Sequence, residues 1–452
     1  MKDDLIIHVV PNKVQGEISA LYSVPGTHVL FTGPRECARH NCRMHYRLGR
    51  ISWLCPTDTE LALGKLESMV IRSVGELIER YRGKLFGVIL YSGCQTEFLN
   101  VDFEYLMKKI RKQFHISAAH HSISRFQRFD RLRPAEKDIF ADVFRLLRRE
   151  EDHKTGSFPG GLQILSRPVP MAEENDFRFI AEKAGLGWTR NTGEWSTEEE
   201  FLKCRESVLN IVTAEERIPA ARYLESEFGI PWLLLTDSCR MSVVEENHRL
   251  LSGKLMEIPG SRDVSGEMEG LRQMAFREIE DVLRLAGERK LTLDLTGTGR
   301  PWDLTRALIE YGFRIEKIIM SRFPMPPGMK PPQGMRSPRG NSEDMEWVLA
   351  HVPDLAVEEK MPDRKAFLRG GECIHGLPEF LENRNGQNTG TGGIRQTESA
   401  GKKDQRMNMN RGGSYPPGFP GGDSSPAALW GYSTVRSLMS IIRRELTEKA
   451  GC

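Results

Sequence analysis

The chain has 452 residues, too many for one hydrophobic core, so its length points to two to four domains of roughly 100–200 residues each. Its 64 basic and 62 acidic residues nearly cancel and no Lys/Arg block stands alone, which argues against nucleic acid as a partner. No stretch approaches the ~18 apolar residues of a membrane span, and Met1-Lys2-Asp3-Asp4 is acidic where a secretory leader is basic. A cytoplasmic protein without membrane contact is expected.

In chain order, β-rich runs at Thr27–Thr32, Ile51–Leu54, Phe86–Tyr91 and Ile116–His120, with a helical pattern over Leu63–Arg82, predict an α/β domain over residues 1–153. It closes with a charged helix near Asp138–Glu151 and the turn-rich stretch Lys154–Gly161. A second α/β domain over 160–285 takes strands Leu162–Leu165, Val208–Val212 and Trp232–Leu235 with helices Glu174–Ala184 and Ile218–Phe228. The long helix Val264–Gly287 leads to a third α/β domain over 286–382. Its parts are strand Leu291–Thr296, the turn Gly297-Thr298-Gly299-Arg300-Pro301, helix Asp303–Tyr311 and strands Arg314–Met320, Asp354–Val357 and Glu372–His375.

The proline-rich Phe323–Asn341 reads as a surface loop, and 383–425, rich in Gly, Asn, Ser and Lys, as a flexible loop. In 426–452, Leu429, Val435, Leu438, Ile441 and Leu446 recur at helical spacing. A helix there has to dock back to be stable, and the first or third unit is the expected platform. The fold class is therefore α/β: three Rossmann-like domains, each a parallel sheet flanked by helices, plus a C-terminal helix that docks back.

Eight cysteines without a small-domain spacing suit reduced thiols rather than a disulfide framework. Two of them directly follow predicted strands: Cys37 after Gly33-Pro34-Arg35-Glu36, and Cys94 after Ser92-Gly93. The carboxyl ends of parallel strands share one crevice, so these thiols can converge although 57 residues separate them. Soft thiolates there suit an iron–sulfur or other metal site. Cys42 and Cys55 are reserve ligands, and Cys37, Cys42 with His40 or His45 could form a zinc site, though without the second close pair of a structural one. Cys204, Cys239, Cys373 and Cys452 read as packing residues. His120 and His121, at the end of the fourth strand, are candidates for proton transfer, against the plainer reading of hydrogen-bonded strand-end histidines.

Five segments, in order, resemble component 1 of the nitrogenase superfamily, whose members include the dinitrogenase chains, a cofactor-assembly scaffold and tetrapyrrole reductases. They are Gly33–Cys37, Cys55–Gly64, Ser92–Leu99 with Asp102, Tyr223–Trp232 and Gly297–Pro301. The resemblance implies that Cys37 and Cys94 ligate a cluster between two subunits. Two thiolates per chain fill half of a four-cysteine site, so one [4Fe-4S] cluster would be shared across a homodimer, or a heterodimer with a related component 1 chain.

It also implies a cavity among the three domains for a second metallocofactor or a tetrapyrrole, with Gly297, Thr298 and Arg300 lining it and the Arg300 guanidinium suited to carboxylates. The positions of the dinitrogenase cofactor ligands fall at Thr213 and near Asn383, so dinitrogen is not the expected substrate. No Gly-x4-Gly-Lys-Ser/Thr loop is present, and electrons would come from a separate ATP-dependent iron protein. The expected function is an electron-accepting oxidoreductase subunit. The alternative is a non-catalytic scaffold for metallocluster assembly. A dinucleotide enzyme using Gly297-Thr298-Gly299 is weaker, because the turn lacks the full glycine spacing and an acidic partner about 20 residues on.

Overall fold

The computed structural model describes residues 20–21, 23–34, 50–93, 95–96, 99, 101–122, 139–148, 160–166, 171–192, 194–295, 301–321, 342–360 and 430–448. β1 (Thr27–Thr32), β2 (Ile51–Leu54), β3 (Gly87–Ser92) and β4 (Ser117–Ser122) pair in parallel in the order β2-β1-β3-β4. The uncharged runs of β1 and β3 are buried at every position, as central strands covered on both faces require.

Between β2 and β3 lie α1 (Asp58–Ala62) and α2 (Leu66–Arg80); α2 is the helix expected over Leu63–Arg82, and α1 is a further short helix before it. Gly64, at φ +65°, divides them in a conformation glycine adopts without steric cost, and Thr57 and Glu60 form a reciprocal cap at the start of α1. α3 (Phe103–Phe114) joins β3 to β4. α4 (Ile139–Phe144), continued by a 3-10 turn over Arg145–Leu147, lies within the charged helix expected near Asp138–Glu151. Ile139, Phe140, Val143, Phe144, Leu146 and Leu147 are all buried, so the segment belongs to the core.

The second sheet holds β5 (Gly161–Leu165), β6 (Trp188–Asn191), β7 (Ser207–Val212) and β8 (Trp232–Leu234), parallel in the order β6-β5-β7-β8. Its helices are α5 (Asp176–Ala184), α6 (Glu198–Leu202) and α7 (Ile218–Phe228), followed by α8 (Met241–Met256) and the long α9 (Ser265–Ala286). The third sheet is β11-β10-β9, from β9 (Lys290–Asp294), β10 (Arg314–Ser321) and β11 (Ala356–Lys360), with α10 (Pro301–Glu310) and α11 (Ser342–His351). Three parallel sheets flanked by helices are the fold class expected from sequence. The strand expected at Glu372–His375 and the loops Phe323–Asn341 and 383–425 lie outside the described residues.

One core joins the first two sheets: Phe31, Ile89 and Tyr91 pack in the same cluster as Leu165 and Val212, with Phe140, Phe144, Trp195, Phe201 and Leu224 between them. A second cluster fills the other face of the first sheet under α2 and α3. A third runs from Leu162, Ile164, Leu209 and Ile211 on the other face of the second sheet to Ile315 and Ile318 in the third.

The C-terminal helix, α12 (Tyr432–Glu448), docks back mainly on α9, α8 and the start of α5, and its Leu446 carbonyl accepts from Arg289, at the opening of the expected third unit, at 3.4 Å. Its anchor explains the choice. The buried Asp176 carboxylate accepts the Tyr432 amide at 2.6 Å, the Ser433 amide at 3.3 Å and the Ser433 hydroxyl, which satisfies the open amino end of α12. His248 Nε2 approaches the same carboxylate at 3.2 Å, and Trp430 stacks on Phe177 with ring centroids 3.8 Å apart.

Gly431 enters this knot at φ +70°, where a Cβ would stand 2.4 Å from Asp176 Oδ2 and 2.7 Å from His248 Cε1. Gly431→Ala is therefore expected to lower stability by about 1–3 kcal/mol through backbone strain and displacement of the carboxylate. Gly253→Ala in α8, where a Cβ meets nothing within 4 Å, should raise stability by about 0.5–1 kcal/mol. Urea unfolding of the two variants tests the opposite signs.

Candidate functional site

β1 and β3 are adjacent and their last residues, Thr32 and Ser92, are register partners, so the two chain segments beyond them start about 4.8 Å apart. In the sequence, Cys94 is two residues past Ser92 and Cys37 five past Thr32. Cys37, Cys42 and Cys94, and the turn residues Gly297, Thr298 and Arg300, lie outside the described residues. Among the described residues no group of three His, Cys, Asp or Glu side chains could hold a metal ion.

Cys55 follows β2 and is half-buried, packed against the core shared by the first two sheets. Cys204 and Cys239 are buried. The Cys204 thiol donates to Gln163 Oε1 at 3.3 Å, and burial pushes its pKa up to about 12, which keeps it a protonated packing group. Thr213, directly after β7, binds the Leu165 carbonyl through its backbone amide at 3.2 Å.

One residue before the ends of β1, β3 and β4 stand Phe31, Tyr91 and His121, register partners across three neighbouring strands and on one face of the sheet. Phe31 and Tyr91 have ring centroids 5.7 Å apart; Tyr91 and His121 are also 5.7 Å apart and nearly parallel, at 5°. His121 ends the row. Its Nδ1 lies 2.8 Å from Oδ2 of Asp142 on α4, and its Nε2 is buried with no hydrogen-bond partner among the described residues. Arg145 approaches the other Asp142 oxygen at 3.5 Å.

His120 points to the opposite face, as strand alternation requires. Its Nε2 is 2.7 Å from Ser92 Oγ and its ring stacks on Phe103 at 3.8 Å. It borders a cavity of about 170 Å³ at the outer edge of β4, lined also by Glu104, Arg111, Arg145 and Arg148. These arginines are already engaged. Arg148 makes a two-pronged contact with Glu227, at 2.8 and 2.5 Å, and reaches Glu104 at 2.7 Å, while Arg111 donates to the Ala118 carbonyl at 2.8 Å.

Sequence reasoning therefore named both histidines but missed what orients them: Asp142, Ser92 and the ring of Tyr91. The available signal was Asp142 itself, a single carboxylate inside Ile139-Phe140-Ala141-Asp142-Val143-Phe144. An acid in so apolar a run needs a buried partner.

This chain belongs to the nitrogenase component 1 type oxidoreductases: the model of that family matches residues 15–361, well over half its length. Its fold is similar to that of nitrogenase Cp1 at pH 6.5, with a TM-score of 0.50 and 14% identity over 96% of this chain and 92% of that one. Nitrogenase Cp1 at pH 5 superposes less well, with a TM-score of 0.42 and 12% identity over 78% of this chain and 76% of that one. Likeness at such identity speaks for the fold alone. No curated protein matches.

A third histidine of the first sheet has a purely structural setting. His28, on β1, is buried with Nε2 3.0 Å from Ser52 Oγ, and burial, assisted by Arg80 and Arg50, lowers its pKa from 6.5 to about 3. With the folded pKa below the unfolded one, the unfolded chain binds the proton first. The contribution is thus whole above pH 6.5 and is lost as pH falls from 6.5 toward 3, by about 1.4 kcal/mol per unit. His28→Gln should flatten this acid limb, so that the drop in unfolding free energy from neutral pH to about pH 5 is roughly 2 kcal/mol smaller than in the wild type, as read by urea titration.

Proposed function

We propose that this chain is the electron-accepting component of a two-component reductase, binding an iron–sulfur cluster through Cys37 and Cys94 at an interface with a second component 1 chain. The single observation that carries the reading, beyond family membership, is the level pairing of Thr32 with Ser92, which starts both cysteine-bearing segments from adjacent strand ends. The donor set fits the group in kind: two soft thiolates per chain, doubled by a homodimer or a related partner, give the four ligands of a [4Fe-4S] cluster. When bound, the cluster supplies one-electron storage at a low potential.

The chain's own residues supply the setting. Phe31 and Tyr91 keep water from the underside of the strand ends, because both are fully buried in the core shared with the second sheet. Phe144, Trp195 and Phe201 pack that core densely beneath the ends of β1 and β3. An ATP-dependent iron protein is the electron donor in this reading, since the chain carries no phosphate-binding loop of its own. The acceptor is a substrate held between the domains, other than dinitrogen, because Thr213 stands where a cofactor cysteine would be. No helix among the described residues is long and apolar enough to cross a membrane, and the reading places the protein in the cytoplasm, where thiols stay reduced.

The test is anaerobic purification or reconstitution with iron and sulfide, followed by metal analysis and EPR. Wild type is expected to hold iron and acid-labile sulfide and to give a reduced-cluster signal. Cys94→Ala and Cys37→Ala should each lose most of the iron, by about an order of magnitude, while remaining folded. Unchanged iron and an unchanged signal in both variants would overturn the assignment.

A further inference from the structure

Three arginines meet on the flank of β4. Arg111 comes from α3, and Arg145 and Arg148 from the 3-10 turn that continues α4 and from the residue capping it. Apart from His120, they and Glu104 are the only charged residues lining the cavity of about 170 Å³, three positive groups against one negative. Like charges gathered in a partly enclosed space repel unless anions offset them.

The protein's own anions offset them only in part. Glu227, on α7 and outside the cavity lining, takes two prongs of Arg148, and Glu104 takes the third. Arg111 turns its Nη1 to a neutral acceptor, the Ala118 carbonyl. Arg145 is the most loosely engaged: among the described residues it pairs with Asp142 at 3.5 Å, and its buried Nε has no hydrogen-bond partner there. Its side chain is 40% exposed, so it can turn onto a guest without deserting a buried partner. Tyr223 of α7 stands among the three. The guanidinium carbons of Arg145 and Arg148 lie 5.9 and 5.7 Å from its ring centre, Arg111 acts on it through its charge, and its buried hydroxyl has no hydrogen-bond partner among the described residues.

The remaining lining limits what can enter. Phe103, Met107, Ala118 and Ala119 offer no charged side chain, and the His120 ring is stacked on Phe103 with its Nε2 turned to Ser92 Oγ at 2.7 Å. A volume of about 170 Å³ is well below the roughly 300–1,000 Å³ that drug-sized ligands occupy, which suits an inorganic oxyanion or the head of a small ester.

We propose that this cavity binds one phosphate-type oxyanion, with Arg145 as its principal ligand and Arg111 and Arg148 as charged walls. A guanidinium presents its donors in a flat fork that matches phosphate oxygens. Glu104 sets the affinity: its carboxylate, 63% exposed and held by Arg148 Nη1 at 2.7 Å, competes with the guest for the same cation. Because Arg148 also grips Glu227, the oxyanion sits on the seam between the first and second units, and by binding the folded arrangement it favours it.

The experiment is calorimetric titration of the full chain with inorganic phosphate at constant ionic strength, repeated with glycerol phosphate as a small ester. The wild type is expected to bind one phosphate per chain, saturably. Arg145→Gln should weaken binding about tenfold or more. Glu104→Gln, which removes the competing carboxylate, should tighten it about threefold. Tighter binding of the ester assigns the natural guest to phosphate esters and tighter binding of phosphate to the free ion, and either result supports the site. No saturable binding of either probe to the wild type, or an affinity unchanged in either variant, overturns the inference; if Arg145→Gln fails to fold, Glu104→Gln decides alone by the same criterion. The measurement does not involve iron, so it stands or falls separately from the function proposed above.

Discussion

The structure depends first on a cluster of aromatic rings wedged between two sheets. Phe144, Trp195 and Phe201 meet with centroids 5.0 to 6.2 Å apart, and Phe86 joins at 6.0 Å, edge-on to Phe201. Each contributes on the order of 2–3 kcal/mol of apolar burial, and their contacts cross between elements of the first and second units. The first two sheets consequently share one interior. Arg148 adds a polar seam to it, gripping Glu227 of α7 and Glu104 of α3 together, and the Arg205 guanidinium donates to the Leu147 carbonyl beside it.

α4 is the element in which packing and chemistry meet. Its apolar residues belong to the shared interior, and the same short helix delivers Asp142 to the ring at the end of β4. The position of that carboxylate is therefore set by several kcal/mol of buried surface rather than by a loop, which is how a precise polar contact is kept in place. The row Phe31, Tyr91, His121 has the same origin, since parallel pairing brings the penultimate residues of three strands level and side-chain alternation turns them to one face.

Much of this was legible in the chain. The central strands β1, β3, β5 and β7 show as short uncharged runs, because strands covered on both faces tolerate little else. Other elements were hidden by polar residues that the fold buries. α8 keeps Asn247 and His248 on its buried side, one held by the Thr236 carbonyl and the other by Asp176, and these break the apolar period. β6 is an edge strand with a single buried position and an arginine, Arg190, so it carries no strand-like pattern. The platform of α12 was illegible because it is chosen by Asp176, a residue 256 positions before Tyr432. At the site, the cysteines and histidines could be named from their places after strands, whereas the His121–Asp142 pairing needs α4 folded against β4.

Arg111 has a consequence for how copies of this protein meet. β4 is a margin of its sheet, and an uncovered margin is a template on which a stray extended peptide can zip up. By holding the Ala118 carbonyl with its guanidinium, with the turn Arg145–Leu147 packed alongside, the chain occupies hydrogen-bonding positions such a peptide would need. Recruitment of foreign strands is thereby blunted on this flank, and the protein is guarded against sheet-to-sheet aggregation next to the residues it can least afford to have distorted.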